Sequence, residues 1–160
     1  MREIDIDNHK GVFREIVSPN FAEFYDYYRT NSDTNTLRLA ETYRRLVNLV
    51  LTINHQSDKV ANAIGISSAY QLIQNIKETY PEEGCALDSV RKLANDVKHS
   101  ARLIQHSGYR GPSVGDPIDY PDTLPEWQVE SPNGESFEAC ESAIKAYVFW
   151  AKYYAGERSI

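Results

Sequence analysis

The sequence predicts a mainly α-helical single domain over residues 1–160: a four- to five-helix bundle with a Pro/Gly-rich loop and a small β-hairpin before its last helix. Three observations predict it. Apolar residues recur at i, i+3, i+4 and i+7 through most of the chain, the period of a helix with one buried face. Glycine and proline crowd into residues 108–125, where Gly108, Gly111, Pro112, Gly115, Pro117, Pro121 and Pro125 preclude regular structure. Trp127 and Val129 then alternate with polar residues ahead of the turn sequence Ser131-Pro132-Asn133-Gly134, with Phe137 in the return arm.

Taken in order, residues 1–17 read as an N-terminal arm or edge strand, with Ile4 and Ile6 alternating with acids. Ser18-Pro19 reads as a helix start, and Phe21, Phe24, Tyr25 and Tyr28 share one face behind it. A polar break over residues 30–35 leads to a helix expected from Thr36 to Asn54, carrying Leu39, Tyr43, Leu46, Val47, Val50, Leu51 and Ile53. Ser57-Asp58 resembles a fresh cap for a short helix ending near Gly65. Ser67 or Ser68 opens the next, with Leu72, Ile73 and Ile76 inward and Pro81 as its stop. A long helix is expected from Ala86 to Ser107 with the seam Leu87, Val90, Ala94, Val97, Ala101 and Ile104. The last helix, from Glu138 to Ala155, places Cys140, Ala143, Ile144, Tyr147, Ala151 and Tyr154 on one side and ends at Gly156.

Composition narrows the function classes. Lys plus Arg is 17 and Asp plus Glu is 23, a formal charge of −6, so the chain is no general nucleic-acid coat. Two cysteines make no disulfide framework, and a reducing, cytoplasmic compartment is expected. No apolar run approaches the roughly 18 residues of a membrane span, so no membrane partner is expected. Without a Cys/His signature, no metal or cofactor is expected either. Cys85 and Cys140 read as packing residues, and His9 and His55 as surface histidines. Gly108-Tyr109-Arg110-Gly111 lacks the Lys-Ser/Thr ending of a phosphate loop. The eleven tyrosines, with an apolar body and a polar tip, suit interfaces and point to a homodimer.

One cluster has the residue types of chemistry. On a single helix over Ala86–Ser107, Arg91, Asn95, Lys98, His99, Arg102 and His106 fall within an arc of about 100° beside the seam. His99 is then a candidate general base for a ribose 2′-hydroxyl, and Asn95 a group that orients it. Arg91 is a candidate for steadying the phosphorane, with Lys98, Arg102 and His106 as phosphate contacts. The alternative is a non-catalytic interaction or dimerisation module in which the same residues are structural.

The segment Arg91-Lys92-Leu93-Ala94-Asn95-Asp96-Val97-Lys98-His99 resembles a signature of small bacterial proteins: Arg, three residues, Asn, two residues, Lys-His. More distantly it is similar to the HEPN helical-bundle superfamily. That resemblance implies a helical bundle that binds RNA or nucleotide phosphate. It also implies a metal-independent ribonuclease where Arg, a polar residue and His meet their copies across a homodimer. Its nuclease members separate Arg and His by four to six residues, whereas seven lie between Arg91 and His99.

Overall fold

The computed structural model describes residues 6–30, 36–97, 102–110, 124–130 and 136–160. The helical path opens at His9, so residues 9–17 are helical where an arm or edge strand was expected, and residues 1–5 lie outside the described residues. Asn8 caps it, its Oδ1 accepting from the Gly11 N–H at 2.9 Å. Helix α1 (His9–Val12) passes into a π-helical turn (Phe13–Val17) and on into α2 (Ser18–Thr30) without a break. The expected start at Ser18 is therefore a point in mid-path. Val12 and Val17 explain why. Both are buried yet five residues apart, a spacing that an α-helix would send to different faces. A π turn bonds i to i+5 and keeps them together, and the Ser18 N–H donates to the Phe13 carbonyl in that pattern. Pro19 has no N–H to give, and beside it Asn20 Nδ2 donates to the Ile16 carbonyl at 2.9 Å.

Helix α3 (Thr36–Ala63) runs through the expected cap at Ser57. Ser57 is buried, and its hydroxyl donates back to the Ile53 carbonyl at 3.3 Å, so it serves the helix interior rather than a start. Gly65, at φ 76°, ends the helix. Ile66 N–H bonds to the Ala61 carbonyl at 2.9 Å and Gly65 N–H to that of Asn62 at 3.3 Å, the paired bonds of a left-handed C-cap. Ser68 caps α4 (Ala69–Thr79) by accepting from Gln71 N–H at 3.1 Å, with Leu72, Ile73 and Ile76 buried as expected.

Pro81 stops α4 and also opens α5 (Pro81–Asp96), which starts before the expected Ala86. Cys85 is therefore inside a helix and exposed, while Cys140 is buried. The larger correction is at the other end, since α5 stops at Asp96 instead of Ser107. Strand β1 (Arg102–Arg110) takes the residues beyond. It pairs antiparallel with β2 (Leu124–Glu130), Leu103 opposite Val129 and Gln105 opposite Trp127, with a register shift between Gln105 and Tyr109. β2 pairs antiparallel with β3 (Ser136–Glu138), Val129 opposite Phe137. Ser107 and Gly108 are weak helix formers, and a partner strand supplies the backbone bonds that a frayed helix end would lack. The turn Ser131–Gly134 and loop residues 111–123 lie outside the described residues.

Helix α6 (Ala139–Tyr154) is the central rod. It packs on α5, α3 and α2 and touches β2 and β3. Ala143, Ile144, Ala146, Phe149 and Trp150 on it are fully buried, against Leu46, Leu49, Ile53, Leu72, Ile76, Leu87 and Leu93. Gly156, at φ 80°, ends it as Gly65 ends α3. The tail then returns to α5, with Arg158 Nη2 3.0 Å from Glu83 Oε1 and its guanidinium 4.9 Å from the Tyr80 ring centre. The chain is thus mainly helical. No helix among the described residues is long and apolar enough to cross a membrane.

At Gly84 the backbone of α5 comes close to that of α4. A Cβ there would lie 2.4 Å from Lys77 Cα. Replacing a mid-helix glycine by alanine ordinarily gains about 1 kcal/mol, but here backbone must move. Gly84→Ala is expected to lower stability by about 1–3 kcal/mol in urea unfolding; a midpoint at or above wild type contradicts this packing.

Candidate functional site

The residues singled out by spacing do not share one helix face. Arg91 lies on α5, where its Nη2 and Nε stand 3.0 and 3.2 Å from Asp88 Oδ1. Lys92 Nζ approaches the other oxygen of that carboxylate at 3.4 Å. These are the i, i+3 and i, i+4 pairs that a helix presents. The Arg91 guanidinium also lies 5.1 Å from the ring centre of Tyr70, an exposed residue on α4. Asn95 is exposed on the last turn of α5. Lys98 and His99 lie outside the described residues.

Arg102 and His106 sit on β1, so the expected arc is corrected at both positions. The helical wheel assumed 100° per residue through Ser107, and that rotation ends where α5 ends. Local electrostatics run the same way. The end of α5 presents carbonyl oxygens, the negative pole of the helix, which disfavours an anion there. Among the described residues, no group of three or more His, Cys, Asp or Glu side chains is placed to hold a metal.

A cleft of about 490 Å³ lies between α5 and the start of α6, lined among others by Glu82, Cys85, Ser89, Glu138, Glu141 and Lys145. Lys145 Nζ stands 2.8 Å from Glu141 Oε1. The cleft joins carboxylates to a paired ammonium and a thiol, without the base-and-nucleophile geometry of covalent catalysis.

The connected polar cluster is elsewhere and was not expected. His9, read as a surface residue, is half-buried, with Nδ1 2.7 Å from the Tyr154 hydroxyl. Gln56 Nε2 donates to that hydroxyl at 2.6 Å and to the His9 carbonyl at 2.9 Å. Gln56 is fully buried, and its Oε1 has no hydrogen-bond partner. Burial, and then the charge of Lys10, hold the His9 imidazole below its usual pKa, while burial first and Tyr153 second push the Tyr154 phenol up. The Tyr154 hydroxyl also donates to the His9 carbonyl at 3.2 Å, so the imidazole tautomer sets which partner holds the hydrogen between Nδ1 and the phenol oxygen.

Aromatic rings extend this cluster along the α2–α6 contact. His9 and Tyr154 stack at 5.6 Å, Phe13 lies 4.7 Å from Tyr154, and Phe21 stacks on Tyr147 at 3.7 Å and 7°. The signal was present in the sequence: His9 and Phe13 are one turn apart, and Tyr147 and Tyr154 two turns apart. Starting the helical pattern at Ser18 hid the first pair.

No family model, curated protein or solved structure matches this chain.

Tyr154→Phe keeps the ring contacts but removes the hydroxyl between Gln56 and His9. It is expected to cost about 1–3 kcal/mol in urea unfolding with unchanged helical circular dichroism, because a buried amide donor loses its acceptor. Wild-type stability in this variant contradicts the network. The linkage also has a sign. The unfolded chain takes up the His9 proton first, so this group's contribution falls as pH drops below about 6.5, levelling once the folded imidazole is also charged.

Proposed function

We propose that the chain acts as a non-catalytic helical interaction module, of the HEPN-like type that its Arg-x3-Asn-x2-Lys-His segment resembles, rather than as a ribonuclease. The observation that carries this reading is the end of α5 at Asp96. A nuclease of that kind needs its arginine and histidine held in register by one helix, and here Arg91 lies on α5, which ends at Asp96, whereas Arg102 and His106 lie on β1. The Asp88 pairs support the reading less. Partly exposed ion pairs are worth about 0–1 kcal/mol, so a phosphate of sufficient affinity would displace Asp88 from Arg91. Geometry, rather than lost charge, argues against catalysis.

The proposed partner is a protein, with a second copy of this chain first. Ile64 and Tyr70, 42% and 54% exposed, stand at the corner joining α3 to α4 and offer apolar surface for it. Most of the other described tyrosines serve the molecule itself: Tyr25 and Tyr28 are buried, and Tyr147, Tyr153 and Tyr154 stack within the fold.

Two measurements on one sample test this. Light scattering across micromolar concentrations is expected to give twice the monomer mass, reduced in a Tyr70→Glu variant. A labelled single-stranded RNA incubated with the protein in chelator is expected to stay intact. RNA cleavage by the wild type that is lost in His99→Ala would overturn the reading in favour of the ribonuclease.

A further inference from the structure

We propose that the outer edge of β1 takes residues 3–7 of a second copy as an added antiparallel strand, the two copies exchanging these segments about a two-fold axis. This rests on the reading above that the partner is a second copy, and names the segment that docks and the edge that receives it. The sheet runs β1-β2-β3, so one edge of β1 is bonded to β2 and the other meets no strand among the described residues. Nine residues long, that edge is a row of backbone donors and acceptors, the template on which an extended segment adds. The far edge of the sheet, β3, offers only three residues.

Charge selects the occupant. β1 carries Arg102, His106 and Arg110 and no acid, inside a chain of formal charge −6. Pairing with its own copy is disfavoured, because a two-fold axis at His106 sets Arg102 opposite Arg110 twice over, and like charges directly opposite destabilise a strand pair. Glu3-Ile4-Asp5-Ile6-Asp7 has the reverse sign and alternates acid with isoleucine, a strand's period of two. Set antiparallel with Ile6 opposite Leu103, the segment brings Ile4 opposite Gln105, Asp7 opposite Arg102 and Glu3 opposite His106. Ile6 then continues the row of Leu103, Val129 and Phe137 that already crosses the sheet.

Position favours exchange over folding back. Ile104, Gln128 and Glu138 lie level across the three strands, and Glu138 is where α6 begins. His9 docks on Tyr154 at the other end of that sixteen-residue helix, about 24 Å away. The chain ahead of it heads outward, with Ile6 47% exposed. A reciprocal exchange satisfies both free edges at once and closes the assembly at two copies.

Light scattering and hydrogen exchange on the full chain, across micromolar concentrations, test this. Dimer mass and the protection of peptides covering residues 102–106 are expected to rise together, with about tenfold more protection in the dimer than in the monomer. Ile4→Pro removes a strand donor from outside the bundle. It is expected to lose both at every concentration while α4 and α5 keep their protection. A synthetic peptide of residues 1–8 added to that variant is expected to restore the protection, whereas the same peptide with Glu3→Lys and Asp5→Lys is not. A wild type that stays monomeric overturns this proposal together with the reading it rests on. A dimer that persists in Ile4→Pro overturns the proposal alone. So does protection of residues 102–106 that is already complete in the monomer, or restored equally by the two peptides.

Discussion

Phe21 lies face to face with Tyr147 at 3.7 Å, and Phe13 and His9 follow it along the same side of α6 to Tyr154. This ladder is what the N-terminal helical path depends on. The path has to present Phe13, Val17, Phe21 and Phe24 to the core in succession while carrying a proline at position 19. The π turn reconciles those demands by adding one residue to a turn, so that the apolar stripe does not drift away from α6. Aromatic pairs contribute about 0.5–1.5 kcal/mol each beyond the area they bury. Several in series therefore amount to a sizeable fraction of the roughly 5–15 kcal/mol by which a domain is stable. Phe149 and Trp150, fully buried on the same rod, extend the aromatic core toward α4 and α5.

The consequence for chemistry is that the polar groups under tightest geometric control are not the basic ones. Arg91 and Lys92 share one carboxylate near the surface, an arrangement that any amphipathic helix can produce. His9, Tyr154 and Gln56 come from α1, α6 and α3, far apart in sequence, and meet within hydrogen-bond distance at a half-buried junction. A network of that kind fixes the relative placement of three helices.

Much of the bundle was legible where local signals and packing agreed. Ser68 followed by Leu72, Ile73 and Ile76 predicted α4, and the Cys140–Ile144 stripe predicted the buried face of α6. The readings that failed did so where a local signal was outvoted. Ser57 has the chemistry of a cap, but its hydroxyl is satisfied inside α3. Ser18-Pro19 has the signature of a first turn, yet proline is tolerated here behind a π turn. The seam drawn on as far as Ile104 continued a helical period into a residue that pairs with Gln128, more than twenty positions away, which no local window reveals. Arg102 and His106 were placed beside Arg91 by the same extrapolated rotation, and they lie on β1 instead.

The most direct test of this account is therefore the backbone conformation of residues 97–110. Amide-resolved NMR is predicted to show cross-strand contacts between Gln105 and Trp127 and between Leu103 and Val129, with helical shifts ending near Asp96. Unbroken i to i+3 helical contacts from Leu93 through Ser107 would contradict it, and would restore Arg91, His99 and Arg102 to one face of one helix.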